Sequence, residues 1–264
     1  MREMRFSRKN LCIPYALFLL LFVAAPLLVL FFYAFTDGTG RFTFDNLTGF
    51  FTNPNTIGTL VYSLALAAVT TLVSVLLAYP LAYFLATSKI KARHVALMIF
   101  ILPMWINFSL RITAMKEVLT AIEGNLAFYP FLNAVIGMTY DFLPFMILPI
   151  YNSIEKLDPA LLEAAEDLGA DPKKAFVQVT LPLSIPGVMS GISMVFLPAM
   201  TNYVVLDMLY NKTYIMGSLI GSYFAAYNWN GGSMIALILL GIICLFTFFS
   251  DSKEKDTIRG GARF

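Results

Sequence analysis

The chain has 264 residues, 59% of them hydrophobic and only 13% charged, and its mean hydropathy is +0.76. A soluble domain is nearer half apolar and a quarter charged, so the composition excludes a soluble globule and implies a single membrane domain with no separate soluble one. The net charge of +2 implies no nucleic-acid partner, and Cys12 and Cys244, each inside an apolar stretch, imply no disulfide framework.

The first ten residues carry Arg2, Arg5, Arg8 and Lys9 against Glu3. The apolar run 11–35 is too long for a signal-peptide core and has no convincing small-residue cleavage site, so it reads as a retained first span. A polar segment ending in RFTFDNLTGFFTNP leads to a second span at 60–87. There Ser63, Ala67, Thr70, Ser74 and Ala78 recur every three or four residues, the small-residue stripe that close helix packing in lipid needs. After the basic turn SKIKARH comes a third span at 95–110. Pro103 is expected to break it, baring backbone toward a cavity beside Trp105 and Asn107, although Trp105 equally suits an interface anchor. A polar segment with Arg111, Lys116, Glu117 and Glu123 follows. The fourth span is 131–151, the fifth 187–209 and the sixth 233–249, ahead of a charged tail. Gly187/Gly191 and Gly217/Gly221 each fit G-x-x-x-G, which serves either a subunit contact or packing within the chain.

Lys and Arg fix an orientation. With the N-terminus in the cytoplasm, fourteen of the eighteen fall in inner segments, leaving Arg41, Arg111, Lys116 and Lys212 outside. This places both termini and the charged loop 155–182 in the cytoplasm.

That loop reads as two short helices. Asp158-Pro159 is a start signal, because Asp caps free N–H groups and Pro suits the first helical position. The helix ALLEAAEDL then stops at Gly169, which tolerates the left-handed conformation. Leu161, Ala165 and Leu168 are expected on one apolar face, with Glu163, Glu166 and Asp167 outside it. Asp171-Pro172 repeats the start signal for a second helix to about Thr180, and Pro182 and Pro186 are expected to break the chain before it re-enters the membrane. Such a projection has the shape of a docking element. The plainer alternative is an amphipathic helix packed on its own protein.

Glu163-Ala164-Ala165, Gly169 and Val179-Thr180-Leu181-Pro182 resemble the EAA loop of ABC-importer permeases, with Val179 where that family often has Ile. The resemblance implies an all-α integral membrane fold of the type I ABC importer permease: six transmembrane helices and a cytoplasmic coupling helix. In that family the coupling helix sits in a groove of an ATPase subunit, which gives Glu163, Ala164, Ala165, Asp167, Leu168 and Gly169 the ATPase-coupling role. The stretches LPMWINFSLR (102–111), LPFMILPIYNSIEKLDPALLEAAEDLGA (143–170) and LPAM (197–200) are similar to the spermidine/putrescine permeases, specifically the subunit that pairs with a second, different permease. The implied partners are two copies of a cytoplasmic ABC ATPase holding Mg-ATP, that second permease, an external polyamine-binding protein and membrane lipid, in a bacterial cytoplasmic membrane. The chain itself has no G-x-x-x-x-G-K-[ST] phosphate loop, so ATP hydrolysis is expected on the partner. No catalytic residue, metal ligand or bound cofactor is expected of this chain, and His94, its one histidine, reads as a solvated surface residue.

Acids inside spans are substrate clues, because one at the bilayer centre costs roughly 2.5–3.5 kcal/mol on insertion scales. Asp141 falls mid-span four. Asp207 falls near the outer end of span five, four residues from Tyr203 on one helical face and where the resemblance leads one to expect an acid. Carboxylates beside aromatic rings suit an organic cation. The alternatives are interfacial solvation for Asp207, and for Asp141 a pairing with Asn107 or Arg111. Intramembrane acids without buried basic residues argue against an anion as cargo. A permease for another solute such as iron stays open, as does an ion-coupled carrier using Asp141 as a relay, although no repeat relates 1–130 to 131–264. A membrane-embedded enzyme lacks any paired acid–base or ligand cluster.

Overall fold

The computed structural model describes residues 12–88, 92–209 and 212–261, and the side chains of these apart from 12, 249 and 251–261. Arg2, Arg5, Arg8, Lys9, Lys89, Lys91 and Arg263, and the side chains of Cys12, Lys253, Lys255 and Arg259, lie outside the description. The described chain is helical, with one isolated bridge between Thr36 and Phe42.

Helices α1 (Cys12–Leu19) and α2 (Ala25–Ala34) are joined by a π-helical turn at Leu20–Ala24 into the first span. Next come α3 (Asp45–Thr52) and α4 (Pro54–Thr87). Helix α5 (Arg93–Ile101) passes through a 3-10 turn, Leu102–Trp105, to α6 (Phe108–Glu123). Then follow α7 (Pro130–Glu155), α8 (Pro159–Asp167) and α9 (Pro172–Ala175). A π-helical turn at Phe176–Thr180 leads into α10 (Leu181–Thr201), and α11 (Tyr203–Met208), α12 (Met216–Ala225) and α13 (Trp229–Gly261) complete the chain. Among the described residues, five helical segments are long and apolar enough to cross a membrane, or six when the pair α5–α6, bent by 99°, counts as one span.

Two spans depart from the sequence reading. The third is not a straight helix over 95–110. Around Pro103, which has no N–H to give, the chain turns through Ile106 (ψ 144°) and Asn107 (ψ 131°), and Asn107 caps α6 by accepting from the Ser109 N–H at 2.9 Å. The polar segment after it is therefore helix. The fifth span is Pro172–Thr201 rather than 187–209. Pro182 directly follows the π-helical turn and Pro186 is carried inside α10, and the helix runs through both, so neither breaks the chain. The second loop helix consequently does not end at Thr180. The break falls at Asn202 (ψ 80°), which sets Tyr203 and Asp207 on a separate six-residue helix.

The described chain divides into two compact units. One comprises the described residues up to Gly58 with Leu219–Gly241. Within it the last carbonyls around the end of α2 need partners, and two amides supply them. Asn46 Nδ2 donates to the Ala34 and Thr36 carbonyls, each at 2.9 Å, and Asn230 Nδ2 donates to those of Thr36 at 2.7 Å and Tyr33 at 3.0 Å. In the adjoining turn the Thr39 hydroxyl and the Arg41 N–H donate to the Asp37 carboxylate, at 2.7 and 2.9 Å, and hold its pKa below the ordinary value.

The other unit comprises Thr59–Ser218 and the chain from Ile242 onward. In it Ser63, Ala67, Thr70, Ser74 and Ala78 are all fully buried, as their spacing predicts. Helix α7 is its hub. A Cβ at Gly187 would lie 2.5 Å from Ser153 Cβ and 2.6 Å from the Pro149 carbonyl oxygen, and one at Gly191 2.6 Å from Met146 Sδ. The first G-x-x-x-G therefore seats α10 on α7 within the chain. At Gly217 a Cβ would collide with the Thr201 carbonyl oxygen, whereas one at Gly221 meets nothing within 4 Å.

Candidate functional site

The loop between α7 and α10 is shaped by three local devices. Asp158 accepts from the Ala160 N–H at 3.0 Å and Pro159 opens α8. At the other end Gly169 takes φ 82°, the Gly169 N–H donates to Glu166 O at 2.9 Å, and the Ala170 N–H reaches back to Ala165 O at 3.0 Å. This is a Schellman closure, and its left-handed residue is strained for anything but glycine. Asp171 then accepts from the Lys174 N–H at 2.8 Å and Pro172 opens α9.

No residue of α8 is buried. The apolar face expected at Leu161, Ala165 and Leu168 is not the face that touches the chain. Leu162 and Ala165 are half-buried, while Leu161 is 46% and Leu168 89% exposed. With exposed Ala164 they form a free ridge, since positions three and seven apart share a helical face. Glu163, Glu166 and Asp167 are exposed outside it. Periodicity identifies a stripe but not what covers it, and packing on its own protein leaves this ridge unexplained.

The root of the loop is fixed by a polar cluster that sequence reading missed. Glu155 Oε1, three residues before the Asp158 cap, accepts from the Tyr151 hydroxyl at 3.0 Å and lies 3.2 Å from Arg93 Nη2. His94 is exposed, as expected, and also joins the cluster: its Nδ1 is 3.4 Å from the Tyr151 hydroxyl and its Nε2 3.7 Å from Glu155 Oε1. These contacts join the start of α5 to the end of α7. The only prior signal was a basic turn and an acid sixty residues apart in sequence, each unremarkable alone.

The residues considered for the pathway separate. Asp141 is buried on α7 and paired with Arg111 of α6, whose Nη2 lies 2.6 Å from Asp141 Oδ1. That is one of the two pairings the sequence left open. Arg111, expected in the polar segment beyond the third span, is itself only 8% exposed. A basic residue is therefore buried after all, because the bent span continues helically past Asn107. Tyr203 and Asp207 share the exposed side of α11, whose Val205 and Leu206 are buried. Trp105 is 86% exposed at the bend, and Asn107 beside it is exposed and serves as a helix cap.

Apolar helices long enough to cross a membrane, with a capped helical loop of unburied residues before the fifth, are the features of a transport permease. Residues 78–252 match the family of binding-protein-dependent transport system inner membrane components, and the chain belongs to that family of multi-pass inner membrane proteins. It is 36% identical over 253 residues to the spermidine/putrescine transport system permease protein PotB of Haemophilus influenzae, covering 87% of this chain and 88% of that protein. It is 35% identical over 223 residues to PotB of Escherichia coli K12, covering 77% and 81%. In fold it is similar to a chain of a bacterial ABC transporter that imports alginate, with a TM-score of 0.75 at 16% identity and 94% of each chain covered. It is also similar to a chain of the MetNI methionine ABC transporter in an inward-facing conformation, with a TM-score of 0.59 at 18% identity, covering 78% of this chain and 99% of that one.

Proposed function

We propose that this chain is one permease subunit of an ATP-driven importer and forms half of the translocation pathway for polyamines of the spermidine/putrescine class. The observation that carries the reading is α8, with its capped start, its left-handed glycine stop and an apolar ridge its own chain leaves uncovered. Two copies of a cytoplasmic ABC ATPase dock beneath the pathway and hold Mg-ATP, and this chain does not hydrolyse it. A second, different permease completes the pathway, and an external binding protein delivers the polyamine. Both termini and the loop face the cytoplasm, as the Lys and Arg distribution supports.

Glu163, Ala164, Ala165, Asp167, Leu168 and Gly169 form the ATPase-coupling surface. Small Ala164 and Ala165 let the partner approach closely, Leu168 enters its groove, and Gly169 sets the angle to α9. Asp207 and Tyr203, exposed together on α11, offer a carboxylate and a ring to an ammonium group. Trp105 and Asn107 line the bend. Asp141 contributes to the pathway only if Arg111 releases it. The resemblance to polyamine permeases favours a polyamine over iron or another solute.

Pull-down of the detergent-solubilised protein, with and without Gly169→Val, tests the coupling surface. Recovery of an ATPase and a second permease with the parent, and loss of the ATPase with the variant, is the expected result. A β-branched residue at φ 82° is disfavoured by roughly 1–2 kcal/mol, enough to misdirect α9 while leaving the membrane helices inserted. Uptake-coupled ATP hydrolysis that persists in Gly169→Val overturns the assignment of the loop.

A further inference from the structure

Beside the second half of the loop, the unit holding α7 carries an open groove of about 540 Å³ lined by Tyr79, Pro80 and Tyr83 of α4 and by Pro172, Lys173, Phe176 and Val177. This is within the 300–1,000 Å³ range of small-molecule sites. Its walls are almost wholly apolar. The Phe176 ring meets Tyr79 edge-on at 5.9 Å and Tyr83 at 5.0 Å. The Tyr79 hydroxyl is committed to Ser184 at 2.8 Å, which leaves the ring rather than the polar tip for the groove. Val177 is 56% exposed.

Lys173 stands in this lining as its one charged group, with Lys174 next to it. Both are exposed, and neither has a carboxylate partner among the described residues. The nearest acid in sequence, Asp171, is occupied in capping the Lys174 N–H. Tyr83 and Tyr79 lie four and eight residues before the end of α4, about 6 and 12 Å along the axis. Tyrosines near the end of a span are the residues that anchor it where headgroups meet acyl chains. An apolar slot beside them with one unpaired ammonium on its lining fits an amphiphile with an anionic head.

We propose that the groove binds an anionic phospholipid, with an acyl chain against Tyr79, Tyr83, Phe176 and Val177 and the phosphate on Lys173. Lysine stems lie along apolar surface while the ammonium stays polar, and basic sites between helices at the inner leaflet recruit anionic headgroups. The lipid tethers α9 to the membrane surface and so fixes the base on which α8 moves. The site goes beyond the importer reading, resting on it only for the leaflet concerned.

The test is native mass spectrometry of the transporter, assembled with its partner subunits, ejected from nanodiscs containing equal phosphatidylglycerol and phosphatidylcholine. The parent should retain phosphatidylglycerol selectively. Lys173→Gln should weaken that retention about fivefold, the effect of one lysine at an anionic surface, and Lys173→Arg should preserve it. Val177→Trp, which fills the slot, should expel lipid of either headgroup. Equal retention of both lipids, or of phosphatidylglycerol in the parent, Lys173→Gln and Val177→Trp, would mean annular lipid only and overturn the proposal. Cross-linking of Val177→Cys to another subunit with no lipid retained would overturn it too. Neither ATP nor polyamine enters the measurement, so its failure leaves the importer reading standing, and loss of uptake leaves the lipid site standing.

Discussion

The first span and the fourth solve the membrane problem in opposite ways. Over Ile13–Ala34, the most apolar of the described spans, only the terminal Ala34 is buried, whereas most of the less apolar Pro130–Glu155 is buried within the chain. The buried residues of α7 include Asn133, Gly137, Thr139, Asp141 and Pro144, none of which favours lipid. In a soluble protein the more apolar helix would be the more buried. In a bilayer the tails are as apolar as leucine, so apolarity marks the surface turned outward, while small and polar residues mark the surface that meets other helices. α7 is accordingly gripped on one side through glycine, by α10 at Gly187 and Gly191, and elsewhere through polar pairs with α5 and α6. Near its N-terminal end Asn133 Nδ2 donates to Glu123 Oε2 at 2.9 Å, a third tie between the bent span and the hub.

Breaking the buried pair should produce the largest effect. Arg111→Ala or Asp141→Ala leaves one charge uncompensated in a low-dielectric site, at a cost of about 3–5 kcal/mol. The double replacement Arg111→Met with Asp141→Leu removes both charges and should lose far less. Membrane abundance and thermal midpoint in detergent, measured on the two singles and the double, read this directly. Single variants as stable as the double would mean that the pair is solvated and α7 is not the dry hub it forms here. Next in size is Gly187→Leu, which forces side-chain atoms against the Pro149 carbonyl and Ser153. Overpacking of this kind costs typically about 1–3 kcal/mol, and α10 should lose its seat on α7 while Gly221→Leu, with open space around it, is tolerated.

What the sequence revealed depended on how far apart the partners lie. Asp158-Pro159, Gly169 and Asp171-Pro172 were readable because a cap or a left-handed stop is decided within four residues. The stripe from Ser63 to Ala78 was readable because helical period alone places it on one face. The bend at Pro103 was foreseen, but the identity of Arg111 as a buried residue was not. Its role depends on the chain remaining helical after the bend and on a carboxylate thirty residues away. Pro182 and Pro186 misled because a proline need not end a membrane helix: a local π adjustment, here the turn at Phe176–Thr180, can re-satisfy the backbone groups that a proline frees. The ridge Leu161, Ala164 and Leu168 shows the converse limit. Its apolar residues were visible, but an empty face and a packed one have the same sequence.

The smallest expected effect sharpens the contrast between the two spans. Leu20 is 59% exposed in the π-helical turn of the first span, and in the isolated chain Leu20→Ala should change stability by no more than about 0.5 kcal/mol, as surface substitutions usually do. The same truncation at Ile147, fully buried on α7, removes packing that lipid cannot replace and should cost several times more. The pair is best measured twice, on the chain alone in detergent and on the importer with its partner subunits. A null effect for Leu20→Ala in both settings assigns that surface to lipid. A loss that emerges only in the assembled importer assigns it to another subunit, because only then does the side chain acquire neighbours that a methyl group fails to fill. Equal losses at Leu20 and Ile147 in the isolated chain would contradict the exposed first span and, with it, the inversion on which the comparison rests.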